Sequence, residues 1–280
     1  MKSGFFFAAC VALLGAAGVG LVAGSAAAAG TLCVDLSKPG CFATIQTALN
    51  AASDGDTIQI GRGTFAGGIT IDKSIQLVGA GASATIIRGG GPVVTIGDLT
   101  GATTPTVSIR RVMITGGVTH SSLGGGNAIA AGGGVDIPGP AGGFMTGAIV
   151  TISDSVVTQN RSSPLTTMAG PCGRRAFGFC SFALGGGIDN AGTLTLTNTQ
   201  VTDNIAGSTP SDPSVATDAS GGGIYSHPGA TLTLLSFRSS EPSSSIPPAS
   251  ALASPTVLLP LTLLSRIVEP TIVVNEPSGR

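Results

Sequence analysis

Two aspartates occupy the same place in successive copies of a short motif and are the clearest candidates for chemistry. Asp136 ends the motif GGGVD, and Asp189 ends the motif GGGID. If the two copies stack directly on each other, the two carboxyl groups lie roughly 5 to 10 Å apart. Carboxyl groups at that separation can divide the roles of general acid and general base. The competing interpretation is that both are solvated turn residues, as we expect for Asp154 and Asp203, which do not share a repeat position with each other.

A second group of candidates lies in residues 161–184, between two motif copies. The segment combines guanidinium groups with aromatic rings, which can pair with and stack against an acidic sugar. The binding candidates are Arg161, Arg174, Arg175, Phe177 and Phe179, with Phe182 as a further aromatic residue, and Arg174 is also a candidate catalytic residue. The alternative is that this segment only packs against the rest of the chain.

The remaining residues that commonly carry chemistry have a simpler explanation. His120 and His227 lie in separate segments without a convincing nucleophile beside them, and we expect both to be solvated loop residues. The glycine triplets are predicted to form turns. No Lys and Ser or Thr follow them as in a phosphate-binding loop.

Four cysteines remain once Cys10, which falls in the apolar N-terminal segment, is set aside. They form two closely spaced pairs, Cys33 with Cys41 and Cys172 with Cys180. Short spacing and an even number favour two local disulfides over a metal site, and no histidine lies nearby to support zinc. This pairing closes the smallest loops, but the sequence leaves the connectivity open.

The elements that position these residues are repeated units. Residues 151–160 (TISDSVVTQN) align with residues 195–204 (TLTNTQVTDN), so that Ile152 matches Leu196 and Asn160 matches Asn204. Within a unit, apolar residues alternate with Thr, Ser or Asn, which is the period of a β-strand. Such self-similarity is typical of stacked units that cannot bury their apolar faces alone.

Asparagine recurs where the units are expected to bend. The four residues concerned are Asn160, Asn190, Asn198 and Asn204. Asparagine tolerates a left-handed backbone, and its amide can bond to the adjacent unit. We therefore expect these side chains to be structural.

Composition restricts the fold and the partners. The chain has 280 residues, of which 44 are glycine and only 10% are charged, so long helices are disfavoured. No crossover helices are predicted between the strands, which argues against an α/β fold. A sandwich or barrel remains possible, but near-identical units at steady offsets favour a parallel β-helix. The formal net charge of -1 argues against a nucleic-acid partner.

The repeated units resemble those of right-handed parallel β-helix proteins of the pectin-lyase-like group, including repeats of bacterial secreted and polymorphic outer-membrane proteins. The segment CFATIQTALNAASDGDTIQIGRGTF, Cys41 to Phe65, is similar to the N-terminal cap of pectin methylesterases. The resemblance covers roughly residues 41 to 236. It implies an all-β solenoid with a short helical cap at Thr44 to Ala52, whose Ile45 and Leu49 face inward.

The resemblance also bears on activity. In similar polysaccharide lyases, acidic side chains bind calcium and an Arg or Lys acts as base, while glycoside hydrolases of this fold use two or three neighbouring carboxylates. The G-x-x-D-F-I-F-G motif of pectin methylesterases and the D-D and G-H-G pairs of polygalacturonases are missing from this sequence. We therefore expect no cofactor, with Ca²⁺ needed only if the protein is a lyase.

Three functions follow from the sequence. The first is non-catalytic binding of polysaccharide or a cell-surface partner through inserted segments at residues 118–131, 161–184 and 205–220, all placed after the same strand of the unit. The second is a lyase or hydrolase acting on acidic, pectin-like polysaccharide. The third is a purely structural surface repeat. Oligomeric state is not predicted.

The predicted domains are a signal peptide at residues 1–29, a β-helix at residues 30–236 and a tail at residues 237–280. The first segment has Lys2, an apolar run and small residues at Ala27 and Ala29. This layout is typical of a cleaved secretory signal. It predicts a secreted or cell-surface protein with no membrane span after cleavage. A retained membrane anchor is the alternative.

The tail breaks the repeat pattern after Leu235 and is rich in Pro, Ser and Leu. We expect a low-complexity segment or a divergent cap. A slipped reading frame would also produce this change. That hypothesis predicts GGG and TLTN-like units in another frame of the gene downstream of codon 235.

Overall fold

The computed structural model describes residues 28–98, 103–120, 128–139, 147–163, 181–207, 218–236 and 238–240. Within these ranges the chain forms one helix and a succession of short strands. In chain order they are β1 (Thr31–Val34), α1 (Ile45–Ala51), β2 (Thr57–Ile60), β3 (Gly63–Ala66), β4 (Ile69–Ile71), β5 (Gln76–Val78), β6 (Thr85–Arg88), β7 (Val94–Ile96), β8 (Thr106–Arg110), β9 (Met113–Thr115), β10 (Val118–Thr119), β11 (Ala128–Ala131), β12 (Val135–Ile137), β13 (Ile149–Ser153), β14 (Val156–Thr158), β15 (Arg161–Ser162), β16 (Ser181–Leu184), β17 (Ile188–Asn190), β18 (Thr193–Thr197), β19 (Gln200–Thr202), β20 (Ile205–Ala206), β21 (Asp218–Ser220), β22 (Ile224–Ser226), β23 (Thr231–Leu235) and β24 (Arg238–Ser240).

The strands stack in parallel into five sheets. Sheet A has the order β1-β2-β5-β8-β13-β18-β23, sheet B the order β3-β6-β9-β14-β19-β24, and sheet C the order β4-β7-β12-β17-β22. Two smaller sheets are D, with β10-β15-β20, and E, with β11-β16-β21. The chain passes through sheets A, B and C in every turn before it returns to sheet A. This architecture is a parallel β-helix, and crossovers between parallel strands are right-handed.

The interior of the helix consists of columns of aliphatic residues. Leu77, Ile109, Ile152, Leu196 and Leu234 are aligned in successive strands of sheet A, and all but the last have no exposed surface. Each buried side chain of this size contributes about 1.5 to 3 kcal/mol through removal from water. The alternation seen in the sequence therefore places every second residue of a strand in one continuous core.

Sheets D and E form where the chain leaves the coil. The first two coils, β2 to β4 and β5 to β7, pass directly from sheet B to sheet C. The next three, β8 to β12, β13 to β17 and β18 to β22, add one strand in sheet D and one in sheet E. We call the chain between these two strands an excursion. The inserted segments predicted as loops thus begin and end in regular parallel strands, because the backbone at their bases pairs with the next coil.

The N-terminal end of the helix is covered by α1. Thr44 caps the helix by accepting a hydrogen bond from the N–H of Thr47, and Ile45 and Leu49 are buried as the resemblance implied. The ammonium group of Lys73 donates to the carbonyl oxygens of Leu49, Asn50 and Ala52 at the C-terminal end of the helix, where the N–H of Ala52 also donates to Leu49.

The structure confirms one of the two predicted disulfides. Cys33 and Cys41 are bonded and close the loop that precedes α1. The predicted Cys172 to Cys180 bridge lies outside the described residues, as do most of the predicted signal peptide and tail. Among the helices of the described ranges, none has the length and apolar character needed to cross a membrane.

Candidate functional site

The GGGVD and GGGID motifs form tight turns that lead into sheet C. Gly132 and Gly185 have φ values of 57° and 52°, in the left-handed region that glycine adopts without strain. A Cβ on Gly185 would lie 2.2 Å from the carbonyl oxygen of Ile188, so no larger residue fits there. Each turn is followed by a three-residue strand, β12 or β17, whose first residue points into the core.

Asp136 and Asp189 are the central residues of these strands and pair directly in register, as the sequence predicted. Val135 and Ile137 on either side of Asp136 are fully buried in the core, so the aspartate points away from it. Tyr225 continues the same column in β22. Neighbouring strands of a sheet lie about 4.8 Å apart, so the two carboxyl groups are close enough to interact electrostatically.

Asp189 is buried beneath His227. Only 3% of its surface is exposed, and its Oδ2 lies 3.0 Å from Nε2 of His227. The N–H of His227 donates to the carbonyl oxygen of Asn190, which fixes the backbone beside the carboxylate. Oδ1 of Asp189 is buried without a hydrogen-bond partner. The carboxylate is therefore held by one charge-assisted contact with an imidazole.

His227 corrects the expectation of a solvated loop residue. Its ring packs edge-on against Tyr225, with ring centroids 4.9 Å apart, and it closes the end of the carboxylate column. Burial alone disfavours the charged imidazolium, but the hydrogen bond and negative charge of Asp189, together with Asp136, outweigh it and raise the pKa of His227. Sequence patterns do not indicate this contact, because His227 lies 38 residues from Asp189.

Asp136 lies in a different environment. Burial and the nearby charge of Asp189 raise the pKa of Asp136 to about 8, against a smaller opposing effect of His227. At neutral pH this group is therefore mostly a neutral acid, which can donate a proton. Burial and the charge of Asp189 also raise the pKa of the Tyr225 hydroxyl. The cluster of Asp136, Asp189, Tyr225 and His227 thus combines a proton donor with a carboxylate–imidazole pair.

Only some of the other predicted site residues lie within the ranges that the structure describes. Arg161 lies in β15, where its backbone pairs with Val118 and Ile205, rather than in a loop. Its Nη1 is buried and has no hydrogen-bond partner. Phe182 lies in β16 and pairs with Ile129. The candidates Arg174, Arg175, Phe177 and Phe179 fall outside the described residues. His120 is exposed, and its Nδ1 lies 3.0 Å from the carbonyl oxygen of Ser163.

No metal site is evident in the part of the chain that the structure describes. No three His, Cys, Asp or Glu residues within it lie close enough together to hold an ion. The cluster in sheet C offers two carboxyl groups, but one of them is already paired with an imidazole.

The decisive observation for the fold is that equivalent residues of successive units align in parallel register in three sheets. The chain is a right-handed parallel β-helix. This β-helix shares 14% identity with the pectin methylesterase from Aspergillus niger in deglycosylated form, over 80% of this chain and 92% of that enzyme, with a TM-score of 0.29. With the pectin methylesterase from carrot it shares 11% identity over 75% of this chain and 82% of that enzyme, with a TM-score of 0.27.

No protein-family model matches the sequence of this β-helix, and no curated protein matches it either. These identities and TM-scores are too low to support the fold assignment, which depends on the parallel pairing of strands in this chain.

Proposed function

We propose that the protein is exported and binds polysaccharide through the side of the β-helix from which the excursions emerge. The observation that carries this proposal is that three excursions leave three successive coils at the same point, between sheets D and E. Insertions at a recurring point of a solenoid project from one face, which then forms a continuous binding surface.

The bases of the excursions have the chemistry for sugar binding. Val118, Ile129 and Ile205 are 39%, 52% and 38% exposed, so the strands of sheets D and E present apolar surface to solvent. Arg161 lies in the same sheet as Val118 and Ile205 and is partly exposed, although its Nη1 is buried. Sugar rings carry apolar faces edged by hydroxyl groups, and the guanidinium group can donate to a hydroxyl or a carboxylate.

Export is supported by two features. The disulfide between Cys33 and Cys41 is the kind of bond that persists in oxidising compartments. The N-terminal sequence has the layout of a cleaved signal. Together they favour a polysaccharide outside the cell as the ligand.

Binding can be tested with an excursion-deletion variant. In the full chain, residues 164–180 are replaced by a short Gly-Ser linker, and affinity for a panel of immobilised neutral and acidic polysaccharides is measured. We expect at least a tenfold loss of affinity for the polysaccharide that the unaltered protein retains. The matched control replaces residues 99–102, which connect sheet C to sheet A, and should bind normally. Equal binding by all three proteins, or no binding to any polysaccharide, would refute the proposal.

The cluster in sheet C favours a second function, hydrolysis of a glycosidic bond. Asp136 is partly exposed and holds a proton at neutral pH, whereas Asp189 is too buried to contact a polymer. In this reaction Asp136 donates its proton to the glycosidic oxygen as the bond to the anomeric carbon breaks. Water adds to that carbon, and its proton restores the acid form of Asp136.

The second function has a direct assay. Release of reducing ends from acidic polysaccharide should occur with the unaltered protein and fall at least a hundredfold in Asp136→Asn. The control is Asp72→Asn, an exposed aspartate outside both the cluster and the excursions, which should keep full activity. If the unaltered protein releases no reducing ends from any polysaccharide that it binds, hydrolysis is excluded and binding alone remains.

A further inference from the structure

A cavity of about 280 Å³ lies at the corner between sheets A and B, at the N-terminal end of the β-helix. It is bounded on one side by the disulfide loop of Cys33 and Cys41 and on the other by the turns of the first three coils. The polar side chains that line it are Asp35, Lys38, Gln59 and Arg111. None of these residues belongs to the cluster in sheet C or to the excursions.

The walls of the cavity are tied together by covalent and hydrogen bonds. The disulfide fixes the loop that carries Asp35 and Lys38. The hydroxyl of Thr85 donates to the carbonyl oxygen of Gly61 at 2.8 Å, linking the turns of the first two coils. A Cβ on Gly61 would lie 2.6 Å from Oδ2 of Asp35, so the space for this carboxylate exists only because residue 61 is glycine. The cavity is therefore preorganised.

The charges in the cavity leave a cationic excess. Asp35 accepts hydrogen bonds from the hydroxyl and the N–H of Ser37, at 2.6 and 2.9 Å, which lower its pKa and keep it ionised. Lys38 lies 3.6 Å from the same carboxylate, with 71% of its side chain exposed. Arg111 is exposed and makes no ion pair with any residue that the structure describes. One carboxylate therefore faces two cations.

Arg111 occupies an unusual backbone position for its residue type. Its φ is 58°, and the equivalent corner positions of the next coils are Asp154, Asn198 and Ser236, with φ values of 50°, 45° and 52°. Aspartate and asparagine tolerate this left-handed region, whereas arginine has no such preference. A small polar residue would adopt this turn more readily than arginine does. The turn geometry therefore does not account for an arginine at position 111, whereas a role for its guanidinium group would.

We propose that this cavity binds the carboxylate of a single acidic sugar unit. Arg111 and Lys38 pair with the carboxylate, and Asp35 and Gln59 exchange hydrogen bonds with the sugar hydroxyls. The net charge of the site suits a monoanion, and its volume is at the small end of ligand pockets. The anionic character of the ligand follows from the cavity, while the choice of a sugar as its carrier depends on the proposed function.

The test is calorimetric titration of the full chain with glucuronate, glucose, acetate and sulfate in turn. Glucuronate should bind once per chain, and glucose, which lacks the carboxylate, at least tenfold more weakly. Sulfate or acetate binding as tightly as glucuronate would show an oxyanion site that does not recognise sugar, and would overturn the proposal. Absence of glucuronate binding by a protein that still binds polysaccharide would overturn it and leave the proposed function intact.

Two adjacent arginines provide matched variants. Arg111→Asn introduces a residue that the same corner accepts at Asn198, so folding is expected to be preserved while glucuronate affinity falls at least tenfold. Arg110→Ser introduces the residue found at the paired position Ser153, outside the cavity lining, and should bind glucuronate normally. Equal affinity of Arg111→Asn and the unaltered protein would refute the role of Arg111. Lys38→Gln, at an exposed side chain, gives a second variant whose affinity should fall in the same direction.

Discussion

Asp136 and Asp189 hold the same position in successive coils, but their surroundings give them different properties. Asp189 contacts His227, whereas Asp136 has no hydrogen-bond partner among the described residues and lies beside a second carboxyl group. A buried carboxyl group without a cationic partner retains its proton, because burial penalises the charged form. At the scale of single residues, the column therefore places a proton donor beside a carboxyl group that contacts an imidazole.

This difference predicts a pH dependence of stability. Because the folded pKa of Asp136 is about 8 and the unfolded value is about 3.8, the folded state binds the extra proton between those values. The raised pKa of His227 acts in the same direction, since its stabilising charge is lost as pH rises. We therefore expect the free energy of unfolding to fall between pH 5 and pH 9. The expected decrease is about 2 kcal/mol, less than the full pKa shift would give, because Asp136 is partly solvated.

Denaturant unfolding at pH 5, 7 and 9 measures this effect. Asp136→Asn should flatten most of the decline and be the more stable protein at pH 9, because it removes the titrating group but keeps its shape. Asp72→Asn, at an exposed aspartate, is the control and should follow the unaltered protein. A decline in Asp136→Asn as steep as that of the unaltered protein would contradict the assignment.

At the scale of elements, an asparagine ladder connects the coils. Asn160 donates to the carbonyl oxygen of Ile114 and to Oδ1 of Asn204, and Asn204 donates to the carbonyl oxygen of Val157. The amide bonds between coils thus agree with the expectation from sequence. The expected left-handed backbone is found only at Asn198, because the other three side chains are buried and bond from ordinary conformations.

The ladder also explains the third glycine of each triplet. A Cβ on Gly134 would lie 2.7 Å from Nδ2 of Asn160, and one on Gly187 would lie 2.8 Å from Nδ2 of Asn204. The close approach of the glycine backbone makes room for the amide. The two repeated features of the sequence, GGG and Asn, are therefore parts of one packing arrangement.

Asn204→Ala should destabilise the protein by about 2 to 4 kcal/mol. The substitution leaves the buried carbonyl oxygen of Val157 and the amide of Asn160 without their partner, and unsatisfied buried groups cost about 1 to 3 kcal/mol each. Asn198→Gly is the matched control, because glycine accepts the same left-handed backbone and the side chain is exposed. Chemical denaturation of both variants measures the difference, and equal stabilities would contradict a ladder that stabilises the fold.

At the scale of the whole molecule, stability comes from neighbouring coils rather than from one central core. Every coil buries its aliphatic residues against the coil before and the coil after, so each interface contributes separately. Ile152 lies in the middle of this stack, between Ile109 and Leu196. A defect there weakens two interfaces at once.

We expect Ile152→Ala to lower the free energy of unfolding by about 2 to 5 kcal/mol, as for other aliphatic truncations in a packed core. Hydrogen exchange should show reduced protection in β8 and β18, the strands on either side. Thr151→Ala, whose side chain points to the opposite face of the same strand, should change stability by less than about 0.5 kcal/mol. Loss of protection confined to β13 would indicate coils that are not coupled.

The sequence by itself determined the solenoid, the register of its units and the closeness of Asp136 to Asp189. These features depend on the alternation of apolar and polar residues, on glycine turns and on repetition, all of which can be recognised in the sequence. The bond between Cys33 and Cys41 was favoured by their short spacing along the chain, whereas the helix over Ile45 to Ala51 was implied by the resemblance of Cys41 to Phe65 to an N-terminal cap.

Only the tertiary structure decided which side chains from different coils come together at positions outside the repeated motif. His227 reaches Asp189, and Arg111 shares a cavity with Asp35, through stacking of chain segments that have no matching motif. The protonation of Asp136 likewise depends on burial and on a neighbouring charge, neither of which is a property of its own segment. Repetition fixes where the backbone goes, whereas solvent exclusion and charge at each site depend on side chains brought together only when the coils stack.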